Sequence, residues 1–326
     1  MTGTEIASAV GVAEPLVVAV DGGGSKTDVV VLDLATGDVL GSARGGGCSH
    51  HQLGIPAAVA VVDAAVASAL GDAGVSASDV VHAGCYLTAI DVEDEQVAVH
   101  AALSALPWGA RSVAVDNDVF ALLRAGTGAA DAAVVICGTG INGVAVRADG
   151  ATARVLALGD ISGDWGGSSG LAEQVLWYAA RAEDGRGEPT ALRDALLSWT
   201  GAASVHDVSM AVHTGELRVS SWWGRADEIV TLAHDGDAVA RLLVDRQGEE
   251  IGLLAASLLA RLDLADADVP VVLGGGIGAT GDPILVAGAQ RALAARVPKA
   301  TLSIVTERPV VGAAHLALDA ARSARE

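Results

Sequence analysis

A short apolar strand, a glycine-rich turn and a second strand occur in succession twice in this chain, and a third strand follows each time. The first copy surrounds residues 21–27 (Asp-Gly-Gly-Gly-Ser-Lys-Thr), and the second surrounds residues 138–140 (Gly-Thr-Gly). Repetition of such a unit within one chain indicates internal duplication. The sequence therefore predicts an α/β protein of two similar domains, with a cleft between them as the ligand site.

Composition agrees with this prediction and excludes several partners. A chain of 326 residues is long enough for about two domains, and a hydrophobic content of 51% supports a large core. The net charge of −20 argues against nucleic acid or an anionic membrane as a partner. Residues 1–14 lack the pattern of a signal peptide, and no apolar run is long enough to predict a membrane span. Three widely spaced cysteines predict no disulfide framework, so we expect a cytoplasmic protein.

The first half is predicted as three antiparallel strands followed by helix, strand, helix, strand and helix. The second half restarts with strands at 133–137, 142–147 and 152–158. Long helices are then expected at 171–181, 191–197, 226–234 and 238–262, before a strand at 269–273. A helix at 282–296, a strand at 301–305 and a helix at 311–322 complete the prediction, with a domain boundary near 125–131.

A third glycine turn, Gly274–Gly278, follows the strand at 269–273. All three turns lie at the carboxyl ends of strands, where open α/β sheets bind ligands. Glycines allow positive φ angles and close approach to a ligand, and consecutive N–H groups favour anions. In the first turn, Ser25, Lys26 and Thr27 add donors and a charge, and Asp21 is placed to hold a metal ion or water. The turns thus predict a phosphate-and-metal site.

Two alternatives compete with this interpretation. The first turn could be an ordinary glycine-rich hairpin. The third turn, Gly276-x-Gly278-x-x-Gly281, also fits a dinucleotide-binding fingerprint, with Glu307 as the acid on the ribose. A dinucleotide-binding domain would place several more strands after this motif, but only about twenty residues follow Glu307, and they read as one helix.

These motifs, with Asp116-Asn117-Asp118 and Gly163-Asp164 in the same order over residues 16–315, resemble the actin/hexokinase/Hsp70 superfamily of sugar kinases. More narrowly, the chain resembles the BadF/BadG and N-acetylglucosamine kinase group. The resemblance implies two RNase-H-like, actin-like ATPase domains that close over ATP, Mg²⁺ and a sugar. The first would span residues 1–125, with a helix at about 309–326 packed on it, and the second residues 126–308. It also implies a homodimer.

The resemblance implies a role for each matching residue. Asp118 corresponds to the general base that accepts a proton from the sugar hydroxyl, with Asp116 as the second candidate. Asp118 could instead be a simple N-cap of the following helix. Asp21 would position Mg²⁺ through water. The residues implied to bind ATP are Gly23, Gly24, Ser25, Lys26, Thr27, Gly138, Thr139, Gly140, Gly275 and Gly276.

The sugar side departs from the group's pattern. Ser49 stands where N-acetylglucosamine kinases usually carry Asn, and the acidic Asp160 and Asp164 join the predicted pocket. The full set of predicted sugar-binding residues is Ser49, His50, Asp116, Asn117, Asn142, Asp160 and Asp164. An acidic pocket favours a cationic amine. We therefore expect glucosamine, phosphorylated at the 6-hydroxyl, ahead of N-acetylglucosamine; alternatively Asp160 is solvated surface.

The sequence disfavours three further possibilities. Cys48, His50 and His51 are not predicted to bind zinc, because adjacent histidines rarely face one ion and no partner motif appears nearby. An ATPase activator that carries an iron–sulfur cluster is a second function, but the three cysteines lie far apart. A non-catalytic sugar sensor is a third, and the complete set of phosphate turns argues against it.

Overall fold

A computed structural model describes residues 15–109 and 111–325, together with the backbone but not the side chain of Asp160. The chain forms two compact units. Unit 1 comprises the described residues up to Arg124 and those from Pro309 onward, and unit 2 runs from Ala125 to Arg308.

Unit 1 contains a five-stranded sheet in the order β3-β2-β1-β4-β5. The strands are β1 (Leu16–Gly22), β2 (Lys26–Asp33), β3 (Val39–Gly46), β4 (Val80–Leu87) and β5 (Val113–Asn117). β1, β2 and β3 pair antiparallel, whereas β4 and β5 extend the sheet parallel to β1. All seven residues of β1 are buried, which its run of apolar residues predicts for a central strand.

Helices cover both faces of this sheet. They are α1 (His50–Leu53), α2 (Ile55–Ala73), α3 (Glu93–Ser104), α4 (Asp118–Gly126) and α12 (Pro309–Ser323). Among the described residues, α2 alone is long and apolar enough to cross a membrane. Its buried residues Val62, Val66 and Leu70 pack in the core of unit 1 with residues of β1 and β4, so the core helix of a folded domain accounts for its composition.

The last helix, α12, packs on the opposite face of the sheet of unit 1. Its buried alanines, among them Ala313, Ala317 and Ala321, share a core with Val17 and Ala19 of β1. A Cβ atom added to Gly84 of β4 would lie 2.8 Å from the Cβ of Ala317. Small residues on both sides therefore allow the helix and the sheet to approach closely.

Unit 2 repeats the strand order of unit 1, as β8-β7-β6-β9-β10. The strands are β6 (Ala132–Cys137), β7 (Ile141–Val146), β8 (Thr152–Arg154), β9 (Pro270–Gly274) and β10 (Thr301–Ile304). The helices are α5 (Gly167–Glu183), α6 (Leu192–Thr200), α7 (Val205–Thr214), α8 (Ala226–His234), α9 (Ala238–Arg261), α10 (Gly275–Gly278) and α11 (Pro283–Ala294). The core lies between the sheet and these helices, with the fully buried Trp222 and Ile251 among its residues.

The structure differs from the sequence prediction at several places, among them the third glycine turn, where Gly275–Gly278 forms the short helix α10. The strand predicted at 152–158 ends at Arg154, because Ala157, Gly159 and Gly163 adopt positive φ angles that interrupt extended pairing. The helix α7 was not predicted, although Ser204 caps its first turn. The loop predicted between β3 and α2 contains the one-turn helix α1.

Candidate active site

The first glycine turn joins β1 to β2 and is closed by a hydrogen bond from Gly23 N–H to the Lys26 carbonyl oxygen, at 2.8 Å. Gly22, Gly23 and Gly24 do not adopt positive φ, so that expectation was wrong. Close packing requires Gly22 instead, because an added Cβ would lie 2.5 Å from Cys48 Sγ. Contact with Cys48, rather than the backbone conformation of the turn, therefore requires a residue without a side chain at position 22.

The chain after β3 lies directly on this turn. Cys48 N–H donates to the Gly23 carbonyl at 3.0 Å, and a Cβ on Gly47 would lie 2.1 Å from the Gly24 carbonyl oxygen. Gly24 itself is exposed, and a Cβ added there would meet nothing within 4 Å. Across the described residues, the N–H groups of Gly24 and Ser25 have no acceptor. The turn therefore presents two backbone donors to solvent or to a ligand.

The polar side chains of the turn bind protein groups in this structure. The half-exposed Lys26 pairs with Asp28 at 2.9 Å, and Arg44 binds the same buried carboxylate at 2.6 Å. Thr27 is fully buried, and its hydroxyl donates to the Gly46 carbonyl at 2.8 Å. Direct contact of Lys26 or Thr27 with phosphate would require these bonds to break, whereas the backbone donors need no rearrangement.

Asp21 and Asp118 lie at the same edge of the sheet of unit 1. In the parallel register, Gly22 of β1 lies opposite Leu87 of β4, and Leu87 lies opposite Asn117 of β5. Asp118 is the next residue after Asn117, so it lies just beyond this edge of the sheet. Two strand spacings separate β1 from β5, which corresponds to roughly 10 Å. Asp21 is 8% exposed. Burial raises the pKa of the Cys48 thiol, a hydrogen bond with Thr27 lowers it, and the charges of Asp118 and Asp21 raise it further.

Asn117 caps the helix that Asp118 begins. Its side-chain oxygen accepts the Val119 N–H at 3.0 Å. Its amide nitrogen donates to the Ile90 carbonyl at 3.1 Å and to Asp91 Oδ1 at 3.0 Å. The side chain is buried, with 1% exposed. This geometry favours a structural role for Asn117 over the sugar contact that the resemblance implies, and it gives the capping bond to Asn117 rather than Asp118.

Asp116 lies in different surroundings from Asp118. Its carboxylate accepts the Asn117 N–H at 2.7 Å, and it lines a groove of about 610 Å³ with Tyr86, Gln96 and His100. Burial first, and then the charge of Asp116, raise the pKa of Tyr86. The register places Asp116 in one row with Tyr86 and Asp21, whereas Asp118 follows the end of β5 and its charge acts on the Cys48 thiol.

The predicted sugar residues Ser49 and His50 begin the segment that leads into α2. Ser49 is buried and precedes α1, and its carbonyl accepts the N–H groups of Gln52 and Leu53. Sequence reasoning missed Glu95 of α3, whose carboxylate binds His51 Nε2 at 2.5 Å. The acidic start of α3 was visible in the sequence, but its proximity to the histidines depends on the tertiary fold.

In unit 2, the second and third glycine turns lie side by side. Gly275 has a φ of +86°, and a Cβ there would lie 2.5 Å from the Cys137 carbonyl oxygen. A Cβ on Gly138 would lie 3.7 Å from Gly276 N. Gly140 and Gly276 are exposed, and an added Cβ on either would meet nothing within 4 Å. Each of the three turns thus combines a closely packed backbone with one exposed glycine.

The start of α5 fixes the second turn. Ser168 and Ser169 donate their N–H groups to the carbonyls of Gly138 and Thr139, at 2.8 and 2.9 Å. The buried Gln247 of α9 accepts the Gly167 N–H at 2.7 Å and so anchors this junction. Within the described part of the chain, the N–H groups of Thr139 and Gly140 have no acceptor. The predicted ligand Asn142 is half-buried and accepts the N–H of its neighbour Gly143 at 2.7 Å.

The segment between β8 and α5 forms the wall of two pockets of about 240 and 290 Å³. Asp164 lines both, and it accepts a short hydrogen bond from the Ser162 hydroxyl. Trp165 also lines both pockets, and the Arg246 guanidinium lies 4.1 Å from the centre of its ring. The side chain of Asp160 lies outside the described structure, although its backbone belongs to a 3₁₀ turn, Gly159–Ile161.

Two five-stranded sheets of identical order, each with a glycine turn after its central strand, define a protein of the actin-like ATPase class. The sequence pattern of the BadF/BadG/BcrA/BcrD ATPase family matches residues 18–317, so the chain belongs to this family. The predicted fold class and resemblance are confirmed.

Individual relatives agree with this assignment. An N-acetyl-D-glucosamine kinase of Dictyostelium discoideum is 24% identical over 316 residues, which cover 93% of this chain and 97% of that protein. A solved structure of a proposed N-acetylglucosamine kinase from Chromobacterium violaceum has a TM-score of 0.72 at 25% identity, covering 94% of this chain and 99% of that one. A ROK family glucokinase from Streptomyces griseus, solved with glucose and AMPPNP, shares the fold at a TM-score of 0.53 and 18% identity, covering 94% of this chain and 99% of that one.

Proposed function

We propose that this protein transfers the γ-phosphoryl group of ATP to the 6-hydroxyl of a 2-amino sugar. The observation that carries the proposal is the position of Asp118. It begins α4 at the carboxyl edge of the sheet of unit 1, the same edge at which the buried Asp21 lies, while Asn117 makes the capping bond. Because Asn117 supplies the capping bond, capping alone does not account for an acid at position 118, and a carboxylate there suits general base catalysis.

The glycine turns would hold the nucleotide. Backbone N–H groups at Gly24 and Ser25 in unit 1, and at Thr139 and Gly140 in unit 2, fit phosphate oxygens because they lack acceptors among the described residues. The exposed glycines leave room that a side chain would fill. Asp21 fits Mg²⁺, which prefers one or two carboxylates and retains several waters. Bound Mg²⁺ would neutralise charge on the phosphates.

Asp118 would act as the general base. As the sugar 6-oxygen bonds to the γ-phosphorus, its proton passes to the Asp118 carboxylate and the bond from phosphorus to the β-phosphate oxygen breaks, releasing ADP. Catalysis by a positioned carboxylate typically contributes a factor of about 10² to 10⁴. Asp116 fits this role less well, because it faces Tyr86 and the groove beside α3.

Among amino sugars, we propose N-acetylglucosamine as the first candidate acceptor and glucosamine as the second. The relatives with 24% and 25% identity carry the name N-acetylglucosamine kinase, one of them as a proposal. The argument for glucosamine relied on Asp160 and Asp164 acting together, and the side chain of Asp160 lies outside the described structure. Asp164 lines the pockets beside Trp165 and would contact the sugar.

An ATPase activator with a shared iron–sulfur cluster is the second candidate, since the family description covers ATPases of several names. An iron–sulfur cluster is held by cysteine thiolates, usually four in number. All three cysteines of the sequence are buried, and burial raises the pKa of Cys85 and of Cys137 to about 12. This observation favours the kinase. Protein purified anaerobically that is colourless and contains no iron, and that releases ADP only when a sugar is present, would exclude the activator.

An ADP-release assay over N-acetylglucosamine, glucosamine, glucose and mannosamine tests the proposal, with Asp118→Asn and the matched Asp116→Asn. We expect sugar-dependent turnover that Asp118→Asn lowers by about 10² to 10⁴ and Asp116→Asn lowers by less than about tenfold. No sugar-dependent ADP release would overturn the kinase proposal. Near-normal turnover by Asp118→Asn would overturn the assignment of the base, and a preference for glucosamine would restore the acidic-pocket argument.

A further inference from the structure

Three metal-ligating side chains converge in unit 1 at the junction between α1 and α3. His50 and His51 belong to α1, and Glu95 belongs to the first turn of α3. Their ligand atoms all lie within 4.8 Å of one another. His51 Nε2 lies 2.5 Å from Glu95 Oε1, and His50 Nε2 lies 3.6 Å from the same oxygen. The one-turn helix α1 brings two adjacent imidazoles to one carboxylate, which the sequence alone did not predict.

An unsatisfied buried nitrogen points into this cluster. The side chain of His50 is 9% exposed, and its Nε2 has no hydrogen-bond partner among the described residues. The distance of 3.6 Å to Glu95 Oε1 is too long for a hydrogen bond. A buried ring nitrogen without a hydrogen-bond partner carries an uncompensated desolvation cost. A cation coordinated by this lone pair would remove that cost.

The distances suit a transition metal after a small adjustment. Metal–ligand bonds of about 2.0 to 2.1 Å in a tetrahedral site imply roughly 3.3 Å between ligand atoms. Glu95 Oε1 lies within about 0.3 Å of that separation from His50, but His51 is closer and would have to move outward by less than about 1 Å. His51 is 51% exposed, so it is free to do so. The other carboxylate oxygen of Glu95 accepts the N–H groups of Asp91 and Val92, which orients the side chain.

We propose that His50, His51 and Glu95 form a binding site for a divalent transition metal such as Zn²⁺, with a water molecule as the fourth ligand. Two imidazoles and one carboxylate are typical zinc ligands, whereas Mg²⁺ prefers oxygen ligands only. The site is distinct from the proposed magnesium position at Asp21. It lies next to Ser49 and Cys48, so a bound ion would fix the segment that packs on the first glycine turn.

Titration calorimetry with Zn²⁺ tests this site, using protein without a histidine tag and with excess Mg²⁺ to occupy oxygen-only sites. We expect one zinc per wild-type chain. His51→Ala removes a ligand at an exposed position, and Glu95→Gln keeps an oxygen for the backbone of α3 while removing the charge. Each should weaken zinc binding by about tenfold or more. His213→Ala, which removes an exposed histidine of α7, is the control and should change binding less than twofold.

Cobalt provides a second readout. Co²⁺ in the same site should produce visible absorption bands that zinc displaces and that His51→Ala abolishes. A wild-type protein that binds no zinc in excess Mg²⁺ would overturn the proposal. The same conclusion would follow if His51→Ala and Glu95→Gln bound zinc as tightly as the wild type, because the metal would then lie elsewhere. Melting temperatures of all variants show whether each is folded.

Discussion

Replacing Asn117 by alanine separates the structural role of this side chain from the sugar contact implied by the resemblance. The substitution removes three hydrogen bonds, two of them to neutral backbone groups and one to the Asp91 carboxylate. Bonds to neutral partners contribute about 0.5 to 1.5 kcal/mol each, and a bond to a charged group about 1.5 to 3 kcal/mol. The free energy of unfolding of unit 1 should therefore fall by about 3 to 5 kcal/mol.

The measurement is urea unfolding followed by circular dichroism, with hydrogen exchange to locate the change. For a urea slope of about 2 kcal/mol per M, the transition of unit 1 should shift by about 2 M. Amides in residues 86–92 and 116–124 should lose protection, while those of α9 in unit 2 should not. Turnover should fall as well, because the start of α4 positions Asp118.

Asn142→Ala is the matched control for this experiment. The side chain of Asn142 bonds to the N–H of the next residue, so its removal should cost less than about 1 kcal/mol. If Asn117→Ala is as stable as Asn142→Ala and only the KM for the sugar rises, the structural interpretation is wrong and Asn117 contacts the substrate.

Three further predictions concern glycine, cysteine and glutamate positions. Gly275→Ala should destabilise unit 2 by at least about 1 to 3 kcal/mol in urea unfolding, because Gly275 has a φ of +86°. The adjacent Gly276→Ala should fold normally and raise the KM for ATP. Equal stability of the two variants would contradict this geometry. Burial raises the pKa of Cys85 and Cys137 to about 12, so neither should react with Ellman's reagent at pH 8 until urea unfolds the chain. The same shifts should lower stability as pH rises from about 9 toward 12, because the unfolded thiols lose protons first. Burial alone would raise the pKa of Glu95, but hydrogen bonds from His51 and the backbone lower it to about 2. The free energy of unfolding should therefore fall as pH drops from about 4.5 toward 2. If the melting temperature of Glu95→Gln falls with pH as steeply as that of the wild type, this prediction is wrong.

Local sequence signals were sufficient for much of the fold. Strand β1 reads directly from its apolar run, and the duplicated strand–turn–strand unit predicted two domains of like order, which the two sheets have. The position of Asp118 at the end of β5 also followed from the sequence, because a short apolar strand precedes it. Periodicity and turn chemistry are local properties, and these elements depend on little else.

Other features of the site depend on tertiary contacts, which local sequence patterns do not predict. The first turn lacks the expected positive φ, and the glycine at position 22 is instead required by close contact with Cys48, which lies 26 positions along the chain. Lys26 pairs with Asp28 because side chains two residues apart in a strand share one face. The acid beside His51 comes from another helix, so no local spacing reveals it. Each of these depends on which elements pack together.

The return of α12 to unit 1 has a consequence for biosynthesis. Unit 1 is completed only by residues from Pro309 onward, whereas unit 2 is one continuous segment, from Ala125 to Arg308. During translation, the sheet of unit 1 emerges first but lacks the alanine-rich helix that covers Val17 and Ala19. We therefore expect unit 2 to reach its native fold on the ribosome before unit 1, which reverses the usual order of folding from the N-terminus. Chains stalled near residue 308 should expose one face of the first sheet and should be the form most in need of chaperones.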